Sequence, residues 1–173
     1  MTSFIRAQRG GQTRYDQDNR RLQRGALTYT TEAFAAPTLI AGPITLTVHA
    51  TADTTETLWV AHLDDVAPNG ASRPLTQGAL LGSHRGLDPD RTWYLPDGTV
   101  LRPHHFSTRS EVKPVIPGEL TRYDVEIFPT AALLESGHRL RLTVTTFDFP
   151  HLFPTKPARR ALTAAAISFI RAA

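Results

Sequence analysis

Three groupings of side chains in this sequence could carry chemistry: histidines, paired acids and clustered aromatics. Seven histidines are present and cysteine is absent. His49, His62, His84, His138 and His151 are dispersed, and the adjacent His104 and His105 point opposite ways in an extended segment. No HxH, HxxxH or HExxH spacing occurs, so structural or surface histidine is the favoured reading and no metal is expected. Without thiols there is no disulfide, thiolate zinc site or cysteine nucleophile. The acid pairs Asp64-Asp65 and Asp88/Asp90 could serve glycoside hydrolysis if their carboxyls stood about 5–10 Å apart. The first precedes a turn and the second flanks Pro89, so turn chemistry is the favoured reading of both. None of the seven serines lies in the G-x-S-x-G pattern of an α/β-hydrolase nucleophile. No phosphate loop or dinucleotide fingerprint is present, and no cofactor is expected. The aromatics remain: Trp93-Tyr94, and Phe147, Phe149 and Phe153 near His151. Aromatic faces can hold sugars, although core or interface packing is the favoured reading. Trp93, Tyr94, Phe147, Phe149 and His151 are therefore the candidate ligand-binding or domain-interface residues, and no catalytic residue is assigned.

The elements that must position these residues read mostly as strands. Leu27-Thr28-Tyr29-Thr30-Thr31 is β-branched and aromatic in character. Ile44 through Ala50 alternates apolar and polar, with Ile44, Leu46, Val48 and Ala50 on one face. Leu58-Trp59-Val60-Ala61-His62-Leu63 is apolar on both sides for part of its length, as in a strand covered on both faces. Pro68-Asn69-Gly70 is a turn, and Gly78 through His84 is a further strand. Residues 86–118 hold five prolines and form a long irregular excursion with a turn at Pro96-Asp97-Gly98-Thr99. Tyr123, Val125 and Ile127 then face inward on a strand that Pro129-Thr130 is expected to stop. Leu140, Leu142 and Val144 form the next inward face. Recurring strands with turn signals and no internal helix predict an all-β antiparallel sandwich over residues 26–155. Residues 156–173 are expected to differ. Thr155 can cap a helix with Pro157 in its first turn, and Leu162, Ala165, Ala166, Phe169 and Ile170 fall on one helical stripe. A short C-terminal helix near 158–171 is predicted.

Charge narrows the partners. The 173 residues carry a formal net charge of +3. Residues 1–25, read as a basic lead-in segment, hold six Arg against two Asp. Residues 156–173 hold four basic residues and no acid. The intervening body has nine Lys/Arg against fourteen Asp/Glu, so the positive charge sits at the ends and not on the folded face a nucleic acid would need. No nucleic-acid partner is expected. No apolar run approaches 18 residues and no signal-peptide core is seen, so neither a membrane span nor export is expected and a cytoplasmic protein is assumed.

Several ordered blocks together resemble a known family. Leu27-Thr28-Tyr29-Thr30-Thr31-Glu32 looks like an opening strand, and Ile40-Ala41-Gly42-Pro43-Ile44-Thr45-Leu46 like a second-strand signature. Trp59 through Gly70 resembles a strand followed by a D-V-x-P-x-G turn. Gly78 through Arg85, Pro117-Gly118-Glu119, Pro129-Thr130 and Gly137-His138-Arg139-Leu140-Arg141-Leu142 follow in the family's order. Over about residues 15–155 the chain resembles the C-terminal, non-catalytic domain of the cocaine-esterase-like and X-Pro dipeptidyl-peptidase (CocE/NonD-type) serine hydrolases. The resemblance implies a jelly-roll β-sandwich, similar to galactose-binding domains, that packs on an α/β-hydrolase domain and helps wall its active-site cleft. The catalytic triad would lie in that other domain, so none of its residues carries over to a position here. The family would also continue after Thr155 to a closing strand, where this sequence reads as a helix.

Three functional readings follow. The first is an accessory domain without turnover of its own, working with an α/β-hydrolase domain or a separately encoded hydrolase chain. The second is a stand-alone carbohydrate- or ligand-binding module that uses Trp93 and Tyr94. The third is a self-associating unit, since a surface shaped to pack on another domain is apolar.

Overall fold

The computed structural model describes residues 18–21, 23–146, 148, 152 and 160–171, the last stretch in its backbone course. Nine strands dominate it: β1 Leu27–Thr30, β2 Thr38–Ala52, β3 Leu58–Val66, β4 Ser72–Leu81, β5 Trp93–Tyr94, β6 Val100–Arg102, β7 Thr121–Leu134, β8 Arg139–Thr145 and β9 Arg160–Arg171. The helical turns among the described residues are short 3-10 segments at Asn19–Arg21, Gly82–His84 and Arg109–Glu111. The Gly82–His84 turn follows directly on β4, so the strand expected to reach His84 stops three residues earlier, at Leu81.

Seven strands form one antiparallel sheet in the order β1-β8-β3-β4-β7-β2-β9. Strands β4 and β7 share a single ladder pair, Gly78↔Ile127. The sheet creases there, so that its two halves face each other as an all-β sandwich. The inward residues of β2 and β7 (Leu46, Val48, Tyr123, Val125) meet those of β3 and β8 (Trp59, Leu63, Leu142, Val144) in one core cluster. The Trp59 and Tyr123 rings lie 5.4 Å apart across it at a tilt of 46°, a favourable aromatic geometry. The period-two alternation read in the sequence puts these residues on the inner face, because successive side chains of a strand point to opposite sides.

Strand β3 is buried along its whole length, as its two-sided apolar run predicts. It is flanked by β4 and β8, so its ladder bonds are satisfied on both edges. Its outer face, from Leu58 through Val60 and His62 to Asp64, is buried as well.

Two expectations are corrected by the pairing. Pro129 does not stop its strand: β7 runs on to Leu134. The register passes from Ile44↔Ile127 to Gly42↔Thr130, which places an extra β7 residue in a bulge. A bulge residue is left out of the ladder, so a proline there gives up no N–H that the sheet requires. The second correction is the C-terminal segment. Residues 160–171, within the stretch predicted as a helix near 158–171, form β9, antiparallel to β2 from Ala52↔Arg160 to Ile40↔Arg171, while the predicted Thr155 cap and Pro157 lie outside the described residues. Helix propensity differs among ordinary residues by at most ~0.7 kcal/mol each. The unpaired edge of the 15-residue β2 offers a row of backbone partners, and satisfying that edge outweighs the propensity. The chain therefore has the closing strand that the apolar stripe had disguised.

Candidate interaction surface

Strands β4 and β7 are antiparallel neighbours, so the end of one and the start of the other lie at the same end of the sandwich. A turn of a few residues could join them. The chain instead uses residues 82–120, which include the Pro-rich excursion. Within it, β5 and β6 pair antiparallel as a ribbon, with Trp93 opposite Arg102 and Tyr94 opposite Val100. The ribbon continues through the bridge Leu87↔His105. Its tip is the predicted turn: Gly98 donates its N–H to the Leu95 carbonyl at 2.9 Å and Leu95 donates to the Thr99 carbonyl at 2.8 Å. Asp97 accepts the Thr99 N–H at 2.9 Å, which holds its carboxyl below the usual carboxylate range. Gly98, at φ +82°, supplies the left-handed conformation that the turn needs.

The ribbon lies over the outward face of β2 and β7. Thr45 donates its hydroxyl to the Leu101 carbonyl at 2.8 Å. His105 Nε2 donates to the Asp124 carbonyl at 2.8 Å. Arg102 Nε donates to Glu126 Oε1 at 2.9 Å. These anchors explain why Thr45 and Asp124 are buried although they sit on the polar side of their strands. The Asp124 carboxylate is satisfied there by the Thr47 hydroxyl at 2.7 Å and by the Arg122 guanidinium at 2.9 Å.

On the ribbon, Trp93 is 53% exposed, Tyr94 46% and Leu95 37%. The Arg102 guanidinium carbon stands 5.3 Å from the Trp93 ring centroid, a cation–π contact. The structure thus places both Trp93 and Tyr94 on the surface, which removes the core half of the core-or-interface reading and leaves the interface half. Phe147, Phe149 and His151, the other candidates, lie outside the described residues.

A second apolar group stands on the return of the excursion. Ile116 and Leu120 are each more than half exposed, and Val112 is also exposed. This loop is pinned from below. Arg85 donates to the carbonyls of Gly82, Lys113 and Pro114, and Lys113 donates its N–H to the Ser83 carbonyl at 2.8 Å. Glu56 accepts from the Ser83 N–H at 3.0 Å and from the Ser83 hydroxyl. Arg85→Ala is expected to cost about 1–2 kcal/mol, since each lost charged hydrogen bond is worth on that order and the guanidinium is partly solvated. Faster amide exchange confined to residues 109–115, with the strands unchanged, checks it.

The acid pairs part company: Asp88/Asp90 is turn chemistry as expected, whereas Asp64 and Asp65 lie within β3 and are held by partners distant in sequence, which corrects the turn reading for that pair. Asp88 accepts the Asp90 N–H at 3.0 Å, a turn bond. Asp65 accepts from His138 Nδ1 at 2.7 Å. Asp64, fully buried, accepts from Asn19 Nδ2 at 2.6 Å and from the Thr143 hydroxyl and Gln23 Nε2 at 3.4 Å. Gln23 in turn donates to the Ser72 hydroxyl at 2.7 Å and accepts from Arg141 at 2.8 Å. Burial pushes the Asp64 carboxyl above its ordinary pKa, and the Asn19, Gln23 and Thr143 hydrogen bonds and the Arg141 charge pull against it. Asp64 thus holds down the segment that enters β1. No sequence pattern marks Asn19 or Gln23 for this task, because their spacing from Asp64 follows no periodicity. Among the described residues no three His, Asp or Glu side chains gather to hold a metal ion. Nor is any helix among them long and apolar enough to cross a membrane.

The family described as X-Pro dipeptidyl-peptidase C-terminal non-catalytic domain matches residues 7–167. The chain belongs to this family. The match runs from before β1 into β9, so the X-Pro dipeptidyl-peptidase C-terminal domain spans β1 to β8 whole and reaches into the corrected last strand. Putative serine esterases of Mycobacterium bovis and Mycobacterium tuberculosis are 28% identical over 125 residues, which is 72% of this chain. The matched stretch is 19% of each esterase, so the chain spans about a fifth of the length of these curated relatives. Among solved structures, a CocE/NonD family hydrolase from Staphylococcus aureus superposes with a TM-score of 0.66 at 15% identity, covering 83% of this chain and 28% of that one. An α-amino acid ester hydrolase gives 0.63 at 19% identity, covering 88% and 27%. These two share the fold of the domain.

Proposed function

We propose that this domain is the accessory, non-catalytic β-sandwich of a serine hydrolase, packing on an α/β-hydrolase domain and shaping its substrate cleft. The observation that carries this reading is the family match over residues 7–167 to a domain described as non-catalytic. The curated relatives support it, being putative serine esterases in which the matching stretch is a minor part. The surface supports it too. A domain that works against another needs exposed apolar groups held rigidly, and Trp93, Tyr94, Ile116 and Leu120 meet that description.

Chemistry therefore belongs to the partner domain, and this chain supplies shape. The purified chain is expected to turn over neither p-nitrophenyl acyl esters nor Xaa-Pro p-nitroanilides above the buffer rate. An α/β-hydrolase polypeptide fused to it or encoded beside it is expected to copurify with it. Robust turnover by the pure chain would overturn the reading, and so would a hydrolase that fails to bind.

Exposure of Trp93 favours a second reading, a carbohydrate-binding module in which a sugar stacks on the ring. The Arg102 guanidinium already lies over the Trp93 ring, leaving less of the aromatic surface for a sugar. Titration against a glycan panel, with Trp93→Ala as control, separates the two.

A further inference from the structure

We propose that the β5–β6 ribbon is the seat of the α/β-hydrolase domain, with Trp93 and Tyr94 as its anchors and Arg102 as its polar contact. This rests on the accessory-domain reading and adds to it the surface that docks. The sandwich itself does not require the ribbon, since β4 and β7 could be joined by a short turn. The chain nevertheless builds the ribbon and fastens it at three points, through Thr45 to Leu101, His105 to Asp124 and Arg102 to Glu126.

The residues it presents are the types on which binding energy concentrates. Tryptophan, tyrosine and arginine dominate the few positions that carry most of an interface's affinity. They are also ordered in advance. The Trp93 ring is held against Arg102, which Glu126 holds in place, and the tip is closed by the Leu95–Thr99 bonds. A side chain already ordered loses little entropy on docking, so more of its buried area appears as affinity. Arg102 is 43% exposed despite its Glu126 partner and retains donors for a carboxylate. The complementary surface is then an apolar recess for Trp93 and Tyr94 with an acidic residue at its rim.

Length identifies the occupant. In the Staphylococcus aureus hydrolase this fold is 28% of the chain, and in the mycobacterial esterases the matching stretch is 19%. The remainder of such an enzyme is the protein present at equal stoichiometry to cover a rigid aromatic ribbon.

The probe is the α/β-hydrolase polypeptide fused to or encoded beside this chain, purified separately and titrated with the full chain by calorimetry. Trp93→Ala and Tyr94→Ala are each expected to raise Kd at least tenfold, and Trp93→Phe by less than Trp93→Ala. Leu133→Ala, an exposed apolar residue at the far end of β7, is expected to stay within twofold. Unchanged circular dichroism and melting temperature confirm that each variant is folded. If the wild-type chain binds and the Trp93 and Tyr94 variants bind as tightly, the ribbon is not the seat, although the accessory reading stands. A loss on Leu120→Ala alone would then move the seat to the 109–120 loop. If the wild-type chain does not bind the hydrolase, the reading and the proposal fall together. Binding of a glycan, or a wild-type dimer, that Trp93→Ala abolishes while leaving hydrolase binding intact would also overturn the proposal.

Discussion

Gly78→Ala is expected to cost at least ~3 kcal/mol of stability, because the added methyl meets backbone on a neighbouring strand where no side chain can swing away. A Cβ at Gly78 would overlap the Glu126 carbonyl and lie 2.8 Å from the Ile127 Cα. That close approach is the point where β4 meets β7 and the two halves of the sandwich join. The strands would have to separate, opening the core on both sides of the crease. For a chain of this size ~2–4 °C of Tm accompanies each kcal/mol, so a fall of roughly 6–12 °C is expected in a thermal melt. Gly70→Ala is the control. Gly70 has φ +84°, and a methyl group there would find nothing within 4 Å, so strain of about 1 kcal/mol is expected and no clash. Equal losses in the two variants would show that the crease tolerates a side chain.

Asp64→Ala is expected to cost about 2–3 kcal/mol, since a buried donor left without its acceptor bears its desolvation penalty in full. Asn19 would lose its 2.6 Å partner, and Thr143 and Gln23 weaker ones. The loss should show locally as well: trypsin is expected to cut at Arg20 and Arg24 faster than in the native chain. Asp64→Asn keeps an acceptor and removes the charge, which isolates the titration. Burial raises the folded-state pKa of Asp64 above the ordinary 3.8. The folded protein therefore holds this proton more tightly than the unfolded chain does. Ionisation costs stability that begins to be lost as the pH rises past 3.8, and the cost is complete above the folded-state pKa. Relative to Asp64→Asn, the native protein should lose stability as the pH rises through that window. A difference that moves the other way, read from denaturant midpoints at a series of pH values, would show that the hydrogen bonds outweigh burial.

Much of the fold was legible because burial on one face imposes a period of two. Ile44, Leu46 and Val48 on β2, and Tyr123, Val125 and Ile127 on β7, could be assigned to a core before any partner was known. The two-sided apolar run at Leu58–Leu63 likewise announced a covered strand, and Pro96-Asp97-Gly98-Thr99 announced its turn. The last strand was not legible. Its alanines fit a helical stripe, and nothing within residues 160–171 records that β2 presents an open edge. The bulge at Pro129 was hidden for a related reason, since a bulge is a relation between two strands.

The surface divides in the same way. Trp93 and Tyr94 could be singled out by residue type, yet their exposure could not. Whether an aromatic is core or surface depends on what the neighbouring chain covers. Arg102 came to Trp93 through a strand pairing, and Asn19 reached Asp64 across 45 residues of sequence. By itself the sequence determined the core strands with one buried or two covered faces, several of the turns, the acidic body between basic ends and the family. The tertiary structure decided which edges were closed, which polar groups found partners and which aromatics remained outside. Periodicity is written locally along a chain, whereas hydrogen-bond satisfaction and close packing exist only between segments that folding brings together.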